Sequence, residues 1–365
     1  MLTQLRSAKQ AFIVPLVAVS LSLASCGQQA SQAPTGSETP AATPAAAGGA
    51  SASLTGAGAS FPAPLYQRWF ADYNKVNPGV QISYQSVGSG AGVEQFTKGT
   101  VDFGASDTGM KKEEIAKIPA EKGVVLLPMT AGAVVVAYNL PDVKELKLPR
   151  AVYTDIFLGK IKKWNDPKIA AANAGVKLPD LPITIVHRSD GSGTTAVFTK
   201  HLSAISPEWK SKVGDGKTVQ WPAGTGAKGN EGVTAAIQQT PGAVGYTEYG
   251  YAKQNNIPMA SLENKAGKFA APTPEAAAKA LASAQLPEDL QVSITDPEGA
   301  ESYPIVTYTW IMAYKDYPDD NKAKAVKDMI DWSLTDGQKV SAELGYVPLP
   351  EEVVTKVKAA ADQIK

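Results

Sequence analysis

An arginine set among hydroxyls and glycines is the part of this 365-residue chain best equipped for chemistry. The segment His187-Arg188-Ser189-Asp190-Gly191-Ser192-Gly193-Thr194-Thr195 joins apolar Ile183, Ile185 and Val186 to apolar Ala196, Val197 and Phe198. That pattern predicts a strand, a tight turn and the start of a helix. Glycines in the turn let backbone N–H groups at the helix N-terminus approach a ligand closely, and a helix N-terminus favours negative charge. The chain has only four arginines, Arg6, Arg68, Arg150 and Arg188. One of them therefore stands where backbone donors converge, and its planar fork suits an oxyanion held by two parallel hydrogen bonds.

The elements that must position this cradle repeat one unit: short apolar strand, turn of small residues, helix. Thr55-Gly56-Ala57-Gly58-Ala59-Ser60-Phe61 precedes Pro62 and Pro64, after which Leu65, Trp69, Phe70 and Tyr73 follow at helical spacing, with Ser60 as the expected N-cap. Ile82 and Tyr84 lead into Val87-Gly88-Ser89-Gly90-Ala91-Gly92, and Val93 and Phe96 resume a helical pattern. Val101 to Asp107 reads as a further strand with Asp107 at its C-terminal end, the edge at which open α/β sheets bind ligands. Val134–Tyr138 and Ile305–Met312 read as buried strands that cross between two lobes. Closing helices are expected around Ala323–Leu334 and Glu351–Ile364. The expected division is one discontinuous lobe, 54–132 plus 306–365, and a second, 133–305.

The N-terminus indicates a compartment. Met1 to Gln10 carries Arg6 and Lys9 without an acid, and an apolar run from Ala11 to Leu23 ends in Leu23-Ala24-Ser25-Cys26. This is the pattern of a lipoprotein signal peptide over 1–25, with Cys26, the only cysteine, as the acylated anchor. The run is too short to span a bilayer as a helix. Residues 26–53 are expected to be a disordered tether, since Glu38 is the only charge from Gly27 to Ala52 and the rest is nearly all Ala, Pro, Ser, Thr, Gly and Gln. A flexible segment of that length holds a domain about 25–30 Å from its anchor on average. Loss of Arg6 and Lys9 with the leader takes the formal charge from 0 to −2. Lysines interleave with acids throughout, so no basic stripe for nucleic acid exists, and with one cysteine no intramolecular disulfide forms.

Seven blocks in order, TGAGASFPAP from Thr55, VGSGAG from Val87, VDFGASD ending at Asp107, LGKIKKW from Leu158, RSDGSGTT from Arg188, WPAGTGAKGNEG from Trp221 and PGAVGYTEYGYAKQNN from Pro241, resemble the phosphate-binding proteins of phosphate ABC importers, in their lipoprotein form. The resemblance covers nearly all of 53–360. It implies an α/β, two-lobed periplasmic-binding-protein fold of type II, each lobe a mixed sheet flanked by helices, with phosphate in the interlobe cleft. It implies phosphate contacts at Ser60, Phe61, Ser89, Asp107, Arg188, Ser192, Gly193 and Thr194, with Asp190 beside the arginine. It also implies a monomer that delivers phosphate to permease subunits and their ATPase, with no catalytic residue and no cofactor. His187, Ser189 and Gly90 depart from residues common in the family.

Those residue types make sense physically. A buried phosphate dianion must have its hydration replaced, and helix N-termini, hydroxyls and one guanidinium supply donors without many full charges. Donors alone do not separate phosphate from sulfate. Asp107 does, because a carboxylate accepts the proton that hydrogen phosphate carries and repels sulfate, which carries none. Arsenate, also protonated, passes the same test.

Plainer readings stand beside these. An isolated Ser or Thr before a helix most often caps it, which is open to Ser60, Ser89 and Thr194, and Asp107 is equally placed to cap a helix through Thr108 and Gly109. His187 and His201 have no second His or Cys at ligand spacing, so no metal site is expected. Gly224-Thr-Gly-Ala-Lys-Gly229 has dinucleotide-fingerprint spacing, but Pro222 interrupts the strand needed before it, and it is expected to be a loop. Neither Ser89 nor Ser192 follows a glycine two residues earlier, as a nucleophile elbow requires, which disfavours a phosphatase-like enzyme. A binder of another oxyanion, or a phosphate sensor or scavenger, remains as the alternative.

Overall fold

The computed structural model describes residues 51–365, so the expected signal peptide, the lipid attachment at Cys26 and most of the tether lie outside the described residues. Eleven strands occur among them: β1 (Ala52–Gly58), β2 (Val80–Ser86), β3 (Phe103–Ser106), β4 (Val125–Tyr138), β5 (Lys147–Leu148), β6 (Thr184–Arg188), β7 (Thr225–Ala227), β8 (Ala243–Glu248), β9 (Ser261–Glu263), β10 (Phe269–Ala270) and β11 (Val306–Ala313). Eight form one sheet in the order β2-β1-β3-β11-β4-β8-β6-β7, and β10-β9-β5 form a small second sheet.

The architecture turns on β4. All 14 of its residues are buried. Its first part pairs antiparallel with β11, through Val125↔Ala313 to Ala133↔Val306, and its last five residues pair antiparallel with β8. The sequence predicts only Val134–Tyr138, because Pro128, Thr130 and Gly132 interrupt the apolar run ahead of it; pairing with β11 draws that stretch into the strand nonetheless. On one side, β1 runs parallel to β2 and β3; on the other, β6 runs parallel to β7 and β8. The two mixed sheets of a two-lobed α/β fold are thus halves of one sheet, joined through the antiparallel β11 and β4.

Helices cover these halves for the reasons the spacing gives. In Ala63–Val76, Leu65, Tyr66, Trp69, Phe70 and Tyr73 form the buried stripe, and Trp69 Nε1 donates to the Gly337 carbonyl at 2.6 Å. Asp320–Ser333 and Glu351–Ala361 are the expected closing helices, and Gly193–Ile205 follows β6 after its turn.

Three local expectations are corrected. β1 begins at Ala52, so 52 and 53 belong to the sheet rather than to a tether: they pair in parallel with Val80 and Gln81. Residues 225–227 are a strand rather than loop, since Pro222 stands before the strand and leaves its pairing with Val186, His187 and Arg188 intact. Ser60 does not cap the helix that follows; Pro62 occupies that position without a side-chain bond, and the Ser60 hydroxyl faces elsewhere.

Candidate anion-binding site

The C-terminal ends of β1, β3 and β6 and the turn after β7 converge. β1 delivers Ser60 and Phe61, β3 delivers Asp107, β6 delivers Arg188, and Gly229 and Asn230 open the helix after β7. Ser60, Phe61, Ser89, Asp107, Arg188, Ser192 and Thr194 are all buried, and Gly193 lies against Ser89 and Asp107. A β-carbon added to Gly193 would stand 2.4 Å from Ser89 Oγ and 2.6 Å from Asp107 Oδ2, so only glycine lets the helix start come this close to those two side chains. Gly90 N–H donates to the Gly191 carbonyl at 2.7 Å across the same gap, and a β-carbon on Gly90 would stand 3.1 Å from Gly191 Cα.

The expected residues occupy defined places in this geometry. Ser192 is the N-cap of Gly193–Ile205, its Oγ accepting from Thr195 N–H at 3.0 Å. The N–H groups of Phe61, Gly193 and Thr194 bond to no acceptor among the described residues. They are donors aimed from a helix start and a chain turn, as an anion requires. Thr194 is inside the helix, and Ser89 is the first residue of its helix with Gly88 as cap, so neither performs the capping role open to it. Asp107 caps nothing either: the next helix begins at Lys112.

Arg188 and Asp190 form a fork, Nε to Oδ1 at 2.7 Å and Nη2 to Oδ2 at 2.5 Å. Burial works against the Arg188 charge, but the Asp190 bonds and charge outweigh it and hold the guanidinium above its ordinary value. Burial likewise works against the Asp190 anion, and Arg188 with the Gly229 N–H reverses that, lowering its pKa. Nη1 reaches Thr194 Oγ1 at 3.5 Å, on the cradle side.

Asp107 has no such partner. Burial pushes its carboxyl up to about 6, against the Thr309 hydroxyl, the Arg188 charge and the Ser89 hydroxyl. Thr309 Oγ1 donates to Oδ1 at 2.9 Å, and Ser89 Oγ lies 3.4 Å from Oδ2. β11 shifts register between Thr309 and Trp310, opposite the stretch that contains Pro128, and such a bulge re-aims the side chains beside it. Thr309 was not foreseen, because a threonine in an apolar strand looks like ordinary β filling.

Asn230 is the other residue not foreseen. Fully buried, it donates from N and from Nδ2 to Ser60 Oγ, at 3.0 and 2.9 Å, and from Nδ2 to Thr194 Oγ1 at 3.2 Å. The signal available was its place just after Gly229, in the stretch expected to be a loop. His187 stands outside the cradle, stacked on Trp221 with ring centres 4.9 Å apart. His201 is buried against the Tyr153 hydroxyl at 2.8 Å, and burial lowers its pKa to about 4.

A model of the PBP superfamily domain matches residues 43–337. The phosphate-binding protein PstS of Pasteurella multocida is 47% identical over 310 residues, 84% of this chain and 89% of that one. The chain belongs to the PstS phosphate-binding protein family. The phosphate-binding protein PstS of Methanocaldococcus jannaschii is 44% identical over 332 residues, covering 84% of this chain and 85% of its own. The crystal structure of a high-affinity periplasmic phosphate-binding protein with phosphate bound shares the fold at a TM-score of 0.69 and 19% identity, over 84% of this chain and 93% of that one. Six of the seven PstS-like blocks meet around the cradle; the seventh, LGKIKKW, ties Trp164 Nε1 to the Gly242 carbonyl at 2.9 Å and packs the core.

Proposed function

We propose that this protein captures hydrogen phosphate outside the cytoplasmic membrane and hands it to the permease and ATPase of an ABC importer, acting as a binding protein and not as an enzyme. One observation carries this reading: N–H groups, hydroxyls and a fixed guanidinium converge on one buried carboxylate that has no cation paired to it. Ser60, Phe61, Ser89, Arg188, Ser192, Gly193 and Thr194 surround the anion and donate, and Asp107 accepts its proton. Asp190 sets the plane of Arg188 and offsets part of its charge.

Residues 54–132 with 306–365, and 133–305, are the two lobes in this reading, and β4 and β11 are the crossings about which they open. The handover of β4 from β11 to β8 at Ala133 and Val134 supports a hinge there. Acylation of Cys26 holds the protein to the membrane surface, and the protein works as a monomer.

Calorimetric titration of the purified protein, stripped of carried phosphate, tests this. Tight phosphate binding at neutral pH with no heat from sulfate is expected. Equal binding of both anions would remove the role given to Asp107, and silence with both would remove the function.

A further inference from the structure

We infer that Asn230 is a positioning residue that turns the Ser60 and Thr194 hydroxyls into pure donors, and so dictates where the proton of the bound anion can point. The inference rests on the phosphate reading above and deepens it.

A serine or threonine hydroxyl has one proton and two lone pairs, and ordinarily rotates to suit its neighbour. At Ser60 the rotation is fixed. Its oxygen accepts from the Asn230 backbone N–H at 3.0 Å and from Asn230 Nδ2 at 2.9 Å, which occupies both lone pairs. Thr194 Oγ1 is in the same position, facing Asn230 Nδ2 at 3.2 Å and Arg188 Nη1 at 3.5 Å. Neither hydroxyl has an acceptor for its own proton among the described residues, so donation to a ligand is the capacity left to each. The two amide protons of Asn230 are divided between the two hydroxyls.

Asn230 itself cannot turn over. Its Oδ1 faces the Glu248 backbone N–H at 3.1 Å, a group that only donates, so oxygen and not nitrogen must lie there. The Thr247 hydroxyl fills the second lone pair at 3.2 Å. All four positions of a fully buried amide are therefore matched. A fixed chain runs from β8 through Asn230 to both lobes, since Ser60 follows β1 and Thr194 follows β6.

The chemical consequence is one of orientation. The proton of a P–OH cannot be directed at Ser60 or Thr194, because it would meet a hydroxyl proton there; only an oxygen lone pair can face them. Asp107 is the acceptor in the cradle, with lone pairs beyond those facing Thr309 and Ser89. The ligand selected is a tetrahedral oxyanion whose one proton is directed at Asp107 and whose oxygen lone pairs are directed at Ser60 and Thr194.

The test is a double-mutant cycle on phosphate affinity with Asn230→Ala, Ser60→Ala and the pair, with melting temperatures taken for each. If Asn230 acts through the Ser60 hydroxyl, its removal costs about tenfold less affinity in the Ser60→Ala background than in the wild type. Losses that simply multiply would overturn the proposal while leaving phosphate capture intact; a wild type that binds no phosphate would overturn both. Should Asn230→Ala not fold, the wild type answers by proton and phosphorus NMR of its phosphate complex. Two hydroxyl protons coupled to the phosphorus are expected, one lost in Ser60→Ala and the other in Thr194→Ala. Absence of coupling from both hydroxyls would overturn the proposal.

Discussion

Asp107 and Asp190 are two aspartates at strand ends on opposite sides of one cleft, and they titrate in opposite directions. Asp190 is held by two bonds from Arg188 and one from the Gly229 N–H, so burial that would raise its pKa is overcome and the carboxyl stays ionised. Asp107 is more deeply buried, meets only hydroxyls directly, and is pushed up to about 6. The contrast separates two uses of one side chain. A carboxylate whose lone pairs are committed to a cation shapes that cation; a carboxylate left uncommitted in a dry place is available to read a proton.

The largest effect is expected from making Asp190 resemble Asp107. Arg188→Ala leaves the part-buried Asp190 without its cation, and stranding a charged group that had lost part of its hydration costs about 1–3 kcal/mol of stability. Denaturant unfolding should show that loss, with phosphate affinity falling by about three powers of ten as bidentate donation disappears. Unchanged stability would mean that the fork is not holding Asp190 ionised.

Asp107→Asn comes next and removes the acceptor. Phosphate affinity should fall by about 10- to 100-fold, and sulfate binding should appear, because an amide N–H donates where the carboxylate repelled. Calorimetry with both anions at pH 7.5 measures it, and an unchanged preference for phosphate would detach selectivity from Asp107. In the ligand-free protein the same variant should be the more stable one above pH 6. Burial raises the folded-state pKa above the ordinary 3.8, so the stability lent by the protonated carboxyl is complete below about pH 4 and is lost as pH rises through about 6. Melting temperatures of variant and wild type should coincide near pH 4 and separate by several degrees at pH 7.5.

Wild-type protein offers a finer comparison. As pH falls through about 6, Asp107 gains a proton and becomes a donor, so sulfate affinity should rise while phosphate affinity declines. Asp190, with its pKa lowered, does not follow over that range. Titrations at pH 7.5, 6 and 5 check this, and a sulfate response flat across them would place the proton elsewhere.

The sequence made Asp107 and Arg188 legible for the same reason: each ends an apolar run and begins a turn, which places it at a strand's C-terminal edge. Asp190 was legible through its spacing from Arg188. Thr309 and Asn230 were not, because their roles depend on register and on a contact across 170 residues, Asn230 to Ser60, rather than on local pattern. Ser60 shows the same limit, since its position before a helix predicts a cap and the tertiary bond from Asn230 takes the hydroxyl instead. The apolar runs marked the crossing strands and the family resemblance supplied the two-lobed architecture, but the length of β4 was not readable, because Pro128 and Gly132 hide a strand that only pairing with β11 completes.

Lys217 gives the smallest and most local adjustment of the Asp107 environment. Its charge is among those that hold the Asp107 pKa down, and its Nζ pairs with Glu114 Oε1 at 3.2 Å across the mouth of the cleft. Glu114 is also fixed from its own side, accepting from Lys111 N–H at 2.8 Å, so the pair joins a residue after β3 to one shortly before β7. Both side chains are about four-fifths buried, 18% and 22% exposed, which screens the pair less than a surface bridge. Lys217→Ala should move the onset of sulfate binding to slightly higher pH, since a nearby cation no longer favours ionised Asp107. It should also speed phosphate release by about two- to fivefold, the range for a partly exposed ion pair. Stopped-flow release measured beside the sulfate titration separates the two effects. A faster release with an unmoved sulfate onset would make Lys217 a bridge between lobes only, without influence on the proton at Asp107.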